Sequence, residues 1–231
     1  FGADWKILFP IYVSALLLTI VIIGFTKIKE EKLDKEPATM KSCFSLLKNK
    51  FILAMVLGIF VYVGIEICLS SGVPILLSSR YGIELKTWGL LGNAFFFIAI
   101  LIGRFLGSII LNWAKPSAFF RATVIASIIG IGLIFVNNQI VTIAGIFIAG
   151  LGFANIFPLI FSITIDAMPE RSNEISGLMV TAIAGGAFIP PIMGFIADKT
   201  SVLGGFVVPL IGLIFVSLLA FTRASRLSTV K

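Results

Sequence analysis

Two charged side chains stand inside long apolar stretches of this sequence. Glu66 lies in the apolar run 51–79, and Arg104 lies inside the run 88–111. A charge at the centre of a membrane costs about 3 kcal/mol or more unless a partner or water faces it. Glu66 is therefore a candidate hydroxyl acceptor or proton carrier, and a structural hydrogen bond to a neighbouring helix is the alternative.

The depths of these two charges argue against pairing. At about 1.5 Å per residue, Glu66 lies about 24 Å and Arg104 about 12 Å from the same end of their helices. Arg104 can therefore face a cavity, or it can anchor at the interface, or it can form a gate contact with Asp166 or Glu170. Gly103, with Gly107, forms a Gly-x-x-x-Gly pair that predicts close helix packing.

Amides and aromatic rings near these charges suit a polyhydroxyl ligand. Asn93 and Asn155 lie inside apolar runs, and each amide offers both a donor and an acceptor. Tyr62 and Phe157 are candidate stacking faces, although packing is the alternative for any phenylalanine in a chain that has 22. Asn155 contacts the ligand or satisfies backbone groups at a helix bend.

The elements that carry these residues are membrane helices. The chain is 58% hydrophobic and 13% charged, against about 25% charged in soluble domains. Runs of about 20 apolar residues span a bilayer. The sequence predicts an all-α transmembrane fold with seven spans, at residues 7–25, 51–79, 88–111, 118–136, 140–165, 175–196 and 202–222.

Basic residues give the orientation. Residues 26–50 carry seven lysines, and placing this loop in the cytoplasm puts 14 of the 18 Lys and Arg residues on that side. The N-terminus is then outside and the C-terminus cytoplasmic. Orientation explains the basic balance, so no nucleic-acid partner is expected.

After the first span and this loop, the other six spans divide into two consecutive triplets, 51–136 and 140–222. The first helix of each triplet is called its lead helix. We expect both lead helices to be interrupted, one at residues 70–74, ending in Pro74, and one at 155–158, ending in Pro158. Matched interruptions in two repeats indicate a transport site. The alternative is that proline and glycine are simply common in membrane helices.

Several strings in these spans resemble one family. They are YVGIE (62–66), GRFLG (103–107), the segment 150–162 with NIFPLIFS, and AGGAFIPPIMG (184–194), which contains Pro190 and Pro191. Together they resemble the fucose:proton symporter family of the major facilitator superfamily. Phe157 stands where the fucose branch has tyrosine, which favours the glucose/galactose branch.

The resemblance implies the C-terminal six-helix bundle of a twelve-helix alternating-access sugar transporter, usually proton-coupled and here in a bacterial inner membrane. Residues 1–26 would be the last N-terminal helix, 27–50 the linker and 51–231 the bundle. The implied partners are a hexose-type sugar, protons, membrane lipid and the missing N-terminal half, which in that family carries the coupling acids.

Other classes of function are less consistent with the sequence. It has no histidine, and we expect no enzyme activity, cofactor or metal site. A seven-helix receptor shares the span count, but not the long basic loop after the first span. A membrane assembly subunit that only packs against other proteins is the third possibility.

Overall fold

The computed structural model describes residues 5–26, 39–84 and 90–222. The chain divides into two compact units, Phe1–Pro37 and Ala38–Lys231, and the described residues contain helices and no strand. These helices are α1 (Leu8–Phe25), α2 (Met40–Leu46), α3 (Lys50–Tyr81), α4 (Leu90–Ile110), α5 (Pro116–Ile134), α6 (Gln139–Phe153), α7 (Ile156–Ala167), α8 (Ser172–Thr181), α9 (Gly185–Lys199), α10 (Val202–Gly205) and α11 (Val207–Thr222).

The predicted membrane helices are confirmed. Seven segments of the described residues are long and apolar enough to cross a bilayer. The fifth, sixth and seventh of them combine α6 with α7, α8 with α9, and α10 with α11. The first unit contributes α1, whose side chains are exposed along its whole length.

Polar residues at the boundaries explain where the long helices begin and end. The side chain of Asn49 accepts a hydrogen bond from the amide of Phe51, and that of Asn138 accepts one from Val141. Both are N-caps, which satisfy amides that lack a partner in the first turn. At the other end of α3, Gly82 has φ +64°, a left-handed conformation that suits glycine.

Within the second unit, each lead helix packs on helices of the other triplet. Helix α3 lies against α9 and α11, whereas α6 lies against α4 and α5. Glycines permit the close approach: a Cβ added at Gly185 would overlap the backbone of Phe60, and one at Gly130 would overlap that of Ala149. Because each lead helix contacts helices of the other triplet, α3 and α6–α7 lie at the centre of the bundle.

One predicted interruption is present and the other is wrong. Helix α6 ends at Phe153 and α7 begins at Ile156, as expected. Helix α3, however, continues through Pro74 to Tyr81. Proline removes one ladder hydrogen bond, but Val73 before it and Leu76 after it are 0% and 1% exposed, so packing holds the helix together.

Two further elements were not expected. A 3-10 turn, Ala182–Ala184, separates α8 from α9. The segment predicted as a linker contains α2, which starts with a capping box formed by Thr39 and Ser42. Leu46 of α2 is 3% exposed, and Arg171 donates to the carbonyl of Ser42 at 3.1 Å. Residues 27–38 of that segment lie outside the described residues.

Candidate functional site

The break between α6 and α7 is the centre of the candidate site. Phe153 ends α6, so its carbonyl lies where the regular helical ladder stops. The hydroxyl of Tyr62, on α3, donates to this carbonyl at 2.8 Å. Tyr62 is 1% exposed. Its predicted stacking face is therefore covered in this structure, and the residue instead joins α3 to the break.

A second hydrogen bond attaches the break to α4. The Nδ2 atom of Asn155 donates to the carbonyl of Gly103 at 2.7 Å, and Asn155 is 5% exposed. A Cβ added at Gly103 would lie 2.6 Å from the Cβ of Ala154, and one at Gly107 would overlap the Asn155 amide. The two glycines thus leave room for the close approach of α4 to the break, and Asn155 joins two helices.

Glu66 and Arg104 are closer electrostatically than their depths suggested. Glu66 is half-buried and lies one helical turn from Tyr62 on the same face of α3. Arg104 on α4 is close enough to act on both groups through its charge. The spacing of residues 62 and 66 signalled their contact; the approach of α4 was not readable from the sequence.

Aromatic rings form a continuous cluster around these groups. The Tyr62 ring lies 5.6 Å from that of Phe153 and 6.4 Å from that of Phe157. Phe157 in turn stacks on Phe161 at 5.9 Å, and Phe96 extends the cluster onto α4, 6.0 Å from Phe153. Phe157 is half-buried, which leaves part of its ring accessible.

Asn93 lies one turn before Phe96 on α4, so the two residues share a helix face. Its Oδ1 atom is buried and has no hydrogen-bond partner among the residues that the structure describes. A buried acceptor without a partner costs about 1–3 kcal/mol. Asn93 therefore retains an acceptor for a ligand hydroxyl or for water.

The remaining predicted residues lie on α7 and α9. Asp166 is near the end of α7 and accepts a hydrogen bond from Ser162 at 3.5 Å. Pro158 is exposed in the first turn of α7, and Pro190 and Pro191 lie within the continuous α9. These positions fit structural roles, and the predicted gating roles remain predictions.

Two other features help to locate the site. Between α4, α5 and the end of α6 lies a cavity of about 230 Å³ with mostly apolar walls, and its lining includes Gly103 and Asn155. Within the described ranges, no group of three or more His, Cys, Asp or Glu residues could hold a metal ion. The group formed by Glu66, Arg104 and the rings around Tyr62 offers an ionisable acceptor, an opposite charge and an aromatic face.

Comparison with known proteins gives the family and the relatives. The family model of the Major Facilitator Superfamily matches residues 1–189. The chain is 31% identical to a putative glucose/galactose transporter of Helicobacter pylori over 215 residues, which cover 86% of this chain and 49% of that protein. A glucose/galactose transporter of Brucella abortus is 27% identical, with 88% and 50% covered.

An L-fucose-proton symporter of Haemophilus influenzae is also similar, at 27% identity, with 87% of this chain and 48% of that protein covered. Among solved structures, the transporter FucP in its outward conformation matches with a TM-score of 0.80 at 20% identity, over 91% of this chain and 52% of that one. The chain thus spans about half the length of these relatives. The names are those of transporters, as the strings in the sequence predicted, and not of enzymes or receptors.

Proposed function

The chain belongs to the Major Facilitator Superfamily, and we propose that it forms the C-terminal half of a proton-coupled carrier for a hexose-type sugar. The carrier works by alternating access: two bundles rock against each other around a site at their interface. The observation that carries this proposal is the placement of Glu66 and Tyr62 at the break between α6 and α7.

Unwound backbone inside a membrane protein is tolerated where it is buried in protein or lines a water-filled cavity. The break is such a segment, and an acid, an amide and aromatic rings surround it. Sugars need hydroxyl acceptors and an apolar face for the ring. Glu66 and Asn93 provide the acceptors, Phe157 provides the face, and Asn155 and Tyr62 hold the break in place.

The names of the relatives support the substrate and the coupling ion. Two of them are named for glucose and galactose, and one is named as an L-fucose-proton symporter. We assign hexoses as the substrate class. Glu66 then either accepts a sugar hydroxyl or carries the coupled proton, together with acids in the other half of the carrier.

The same proposal assigns each part of the chain to a bundle or to the linker between bundles. Residues 1–26 would be the last helix of the N-terminal bundle, 27–50 the linker between bundles, and 51–231 the C-terminal bundle. The distribution of basic residues supports a cytoplasmic linker and C-terminus. The bacterial relatives favour the inner membrane, with lipid and the other half of the carrier as partners.

The experiment that tests the function is uptake by the complete protein in cells that lack their own hexose carriers. Labelled glucose, galactose and fucose are offered separately, with and without a protonophore. Saturable uptake of at least one hexose that collapses with the protonophore supports the proposal. Absence of uptake for every hexose, from a protein that is inserted in the membrane, would contradict it.

A further inference from the structure

We infer that Tyr62 is a positioning residue that transmits the proton occupancy of Glu66 to the break between α6 and α7, an inference that rests on the proposed transport function. Tyr62 does not need to touch the sugar for this role. Its hydroxyl donates to the carbonyl of Phe153 at 2.8 Å, and Glu66 follows one helical turn later on the same face of α3, within reach of that hydroxyl.

The hydrogen atoms that Tyr62 and Glu66 carry limit which hydrogen bonds can form at the same time. A tyrosine hydroxyl has one hydrogen to donate, and a protonated carboxyl has one of its own. When Glu66 is protonated, it can donate to the Tyr62 oxygen while Tyr62 donates to Phe153. All three groups are then satisfied, and the end of α6 is held against α3.

Ionised Glu66 can only accept hydrogen bonds. The single hydrogen of Tyr62 then has two competing acceptors, and bonds to a charged acceptor are roughly twice as strong as those between neutral groups. The hydrogen turns toward Glu66, and the carbonyl of Phe153 loses its donor at the point where the helical ladder stops. Deprotonation therefore loosens the break from α3.

Of the charged groups on the helices packed against α3, Arg104 on α4 is the one that acts on Glu66. In the described part of the chain, the other charged groups on α3 itself and on the helices packed against it are Lys50, Arg80, Asp166, Glu174, Asp198 and Lys199, and they lie at or near helix ends. Arg104 directly follows Gly103, whose carbonyl holds Asn155. The break is thus bonded to α3 through Tyr62, one turn from Glu66, and to α4 through Gly103, next to Arg104.

Loosening the break would move the sugar-facing ring. Phe157 is the second residue of α7 and lies 6.4 Å from the Tyr62 ring, centroid to centroid. A shift of the break relative to α3 therefore changes the position of Phe157 relative to Glu66. This is the coupling that a symporter needs between the proton site and the sugar site.

The test is the pH profile of hexose uptake by the complete carrier with Tyr62→Phe, which removes the hydroxyl and keeps the ring. We expect uptake at the wild-type optimum to fall about three- to tenfold, the equivalent of one hydrogen bond, and its pH dependence to flatten. In a Glu66→Gln background, where proton-driven uptake is expected to be lost, the same substitution should leave the pH profile of sugar exchange unchanged. The matched control is Tyr81→Phe, which removes a 2.7 Å hydrogen bond to Thr142; its profile should keep the wild-type shape.

A uniform reduction at every pH, as expected if Tyr62 only braces the bundle, would overturn the inference. An inactive wild-type carrier would instead refute the proposed function. A second measurement keeps Tyr62 intact: the chain has three tyrosines, and Tyr12→Phe with Tyr81→Phe leaves Tyr62 as the sole reporter in this segment. Isotope labelling restricted to this half leaves the tyrosines of the other half unlabelled. The Raman signal of Tyr62 should then change with pH in the wild-type background and stay constant with pH in Glu66→Gln. A signal constant across the pH range would also overturn the inference.

Discussion

The contact between α3 and α9 depends on a glycine, and replacing it gives a sharp prediction. Gly185 is the first residue of α9 and has φ −51°, so its backbone conformation is open to any residue. What excludes a side chain is space: an added Cβ would lie 2.6 Å from the carbonyl carbon and 2.9 Å from the Cα of Phe60. These are backbone atoms, which cannot rotate away.

Gly185→Ala should therefore destabilise the bundle. Forcing a methyl group into a packed interface costs about 1–3 kcal/mol. At about 2–4 °C per kcal/mol for a chain of this size, the melting temperature should fall by roughly 2–12 °C. The control is Gly194→Ala on the same helix, where an added Cβ meets no atom within 4 Å. Alanine there should raise stability by about 0.5–1 kcal/mol, because glycine is the poorer helix former.

The assay uses a thiol-reactive fluorophore during heating in detergent micelles. Cys68 is fully buried in α3, so its labelling reports unfolding of the bundle, and Cys43→Ser removes the second thiol. Equal shifts in the two variants, or a higher melting temperature for Gly185→Ala, would refute the packing argument.

Two further predictions concern the site in the complete carrier. Phe157→Ala should raise the KM for the sugar about fivefold or more by removing a ring face, while membrane insertion measured by protease protection stays normal; unchanged KM would show that Phe157 is only packing. Glu66→Gln keeps the shape and removes the charge: loss of proton-driven uptake with sugar exchange retained would indicate coupling, and loss of both would indicate binding. Wild-type uptake over the full pH range would exclude both roles.

The spans were predictable because apolar length alone decides what crosses a bilayer. The capping residues Asn49 and Asn138 came from the structure, although an asparagine just before an apolar run is a recognised helix-start signal. The interruption predicted at Pro74 was wrong, because a proline can either end a helix or lie within one. Which of the two happens depends on burial of its neighbours by other helices, and a single sequence does not give those contacts.

The candidate site was predictable residue by residue but not in its connections. Glu66 stood out by its cost in an apolar run, whereas the donor to the Phe153 carbonyl depends on which helix lies beside the break. Likewise, the influence of Arg104 on Glu66 follows from the approach of α4 to α3, not from depth along each helix. Side-chain reach across helices is a property of packing, and it appears only in three dimensions.

The most direct test of the half-carrier account is reconstitution of the 231-residue chain into liposomes, beside the complete protein. A proton gradient is imposed, and labelled hexose is supplied outside. We predict saturable, gradient-driven uptake by the complete protein and none by this chain, because one bundle provides one wall of the site and leaves polar groups exposed to lipid. Saturable, gradient-driven uptake by the 231-residue chain alone would contradict the account.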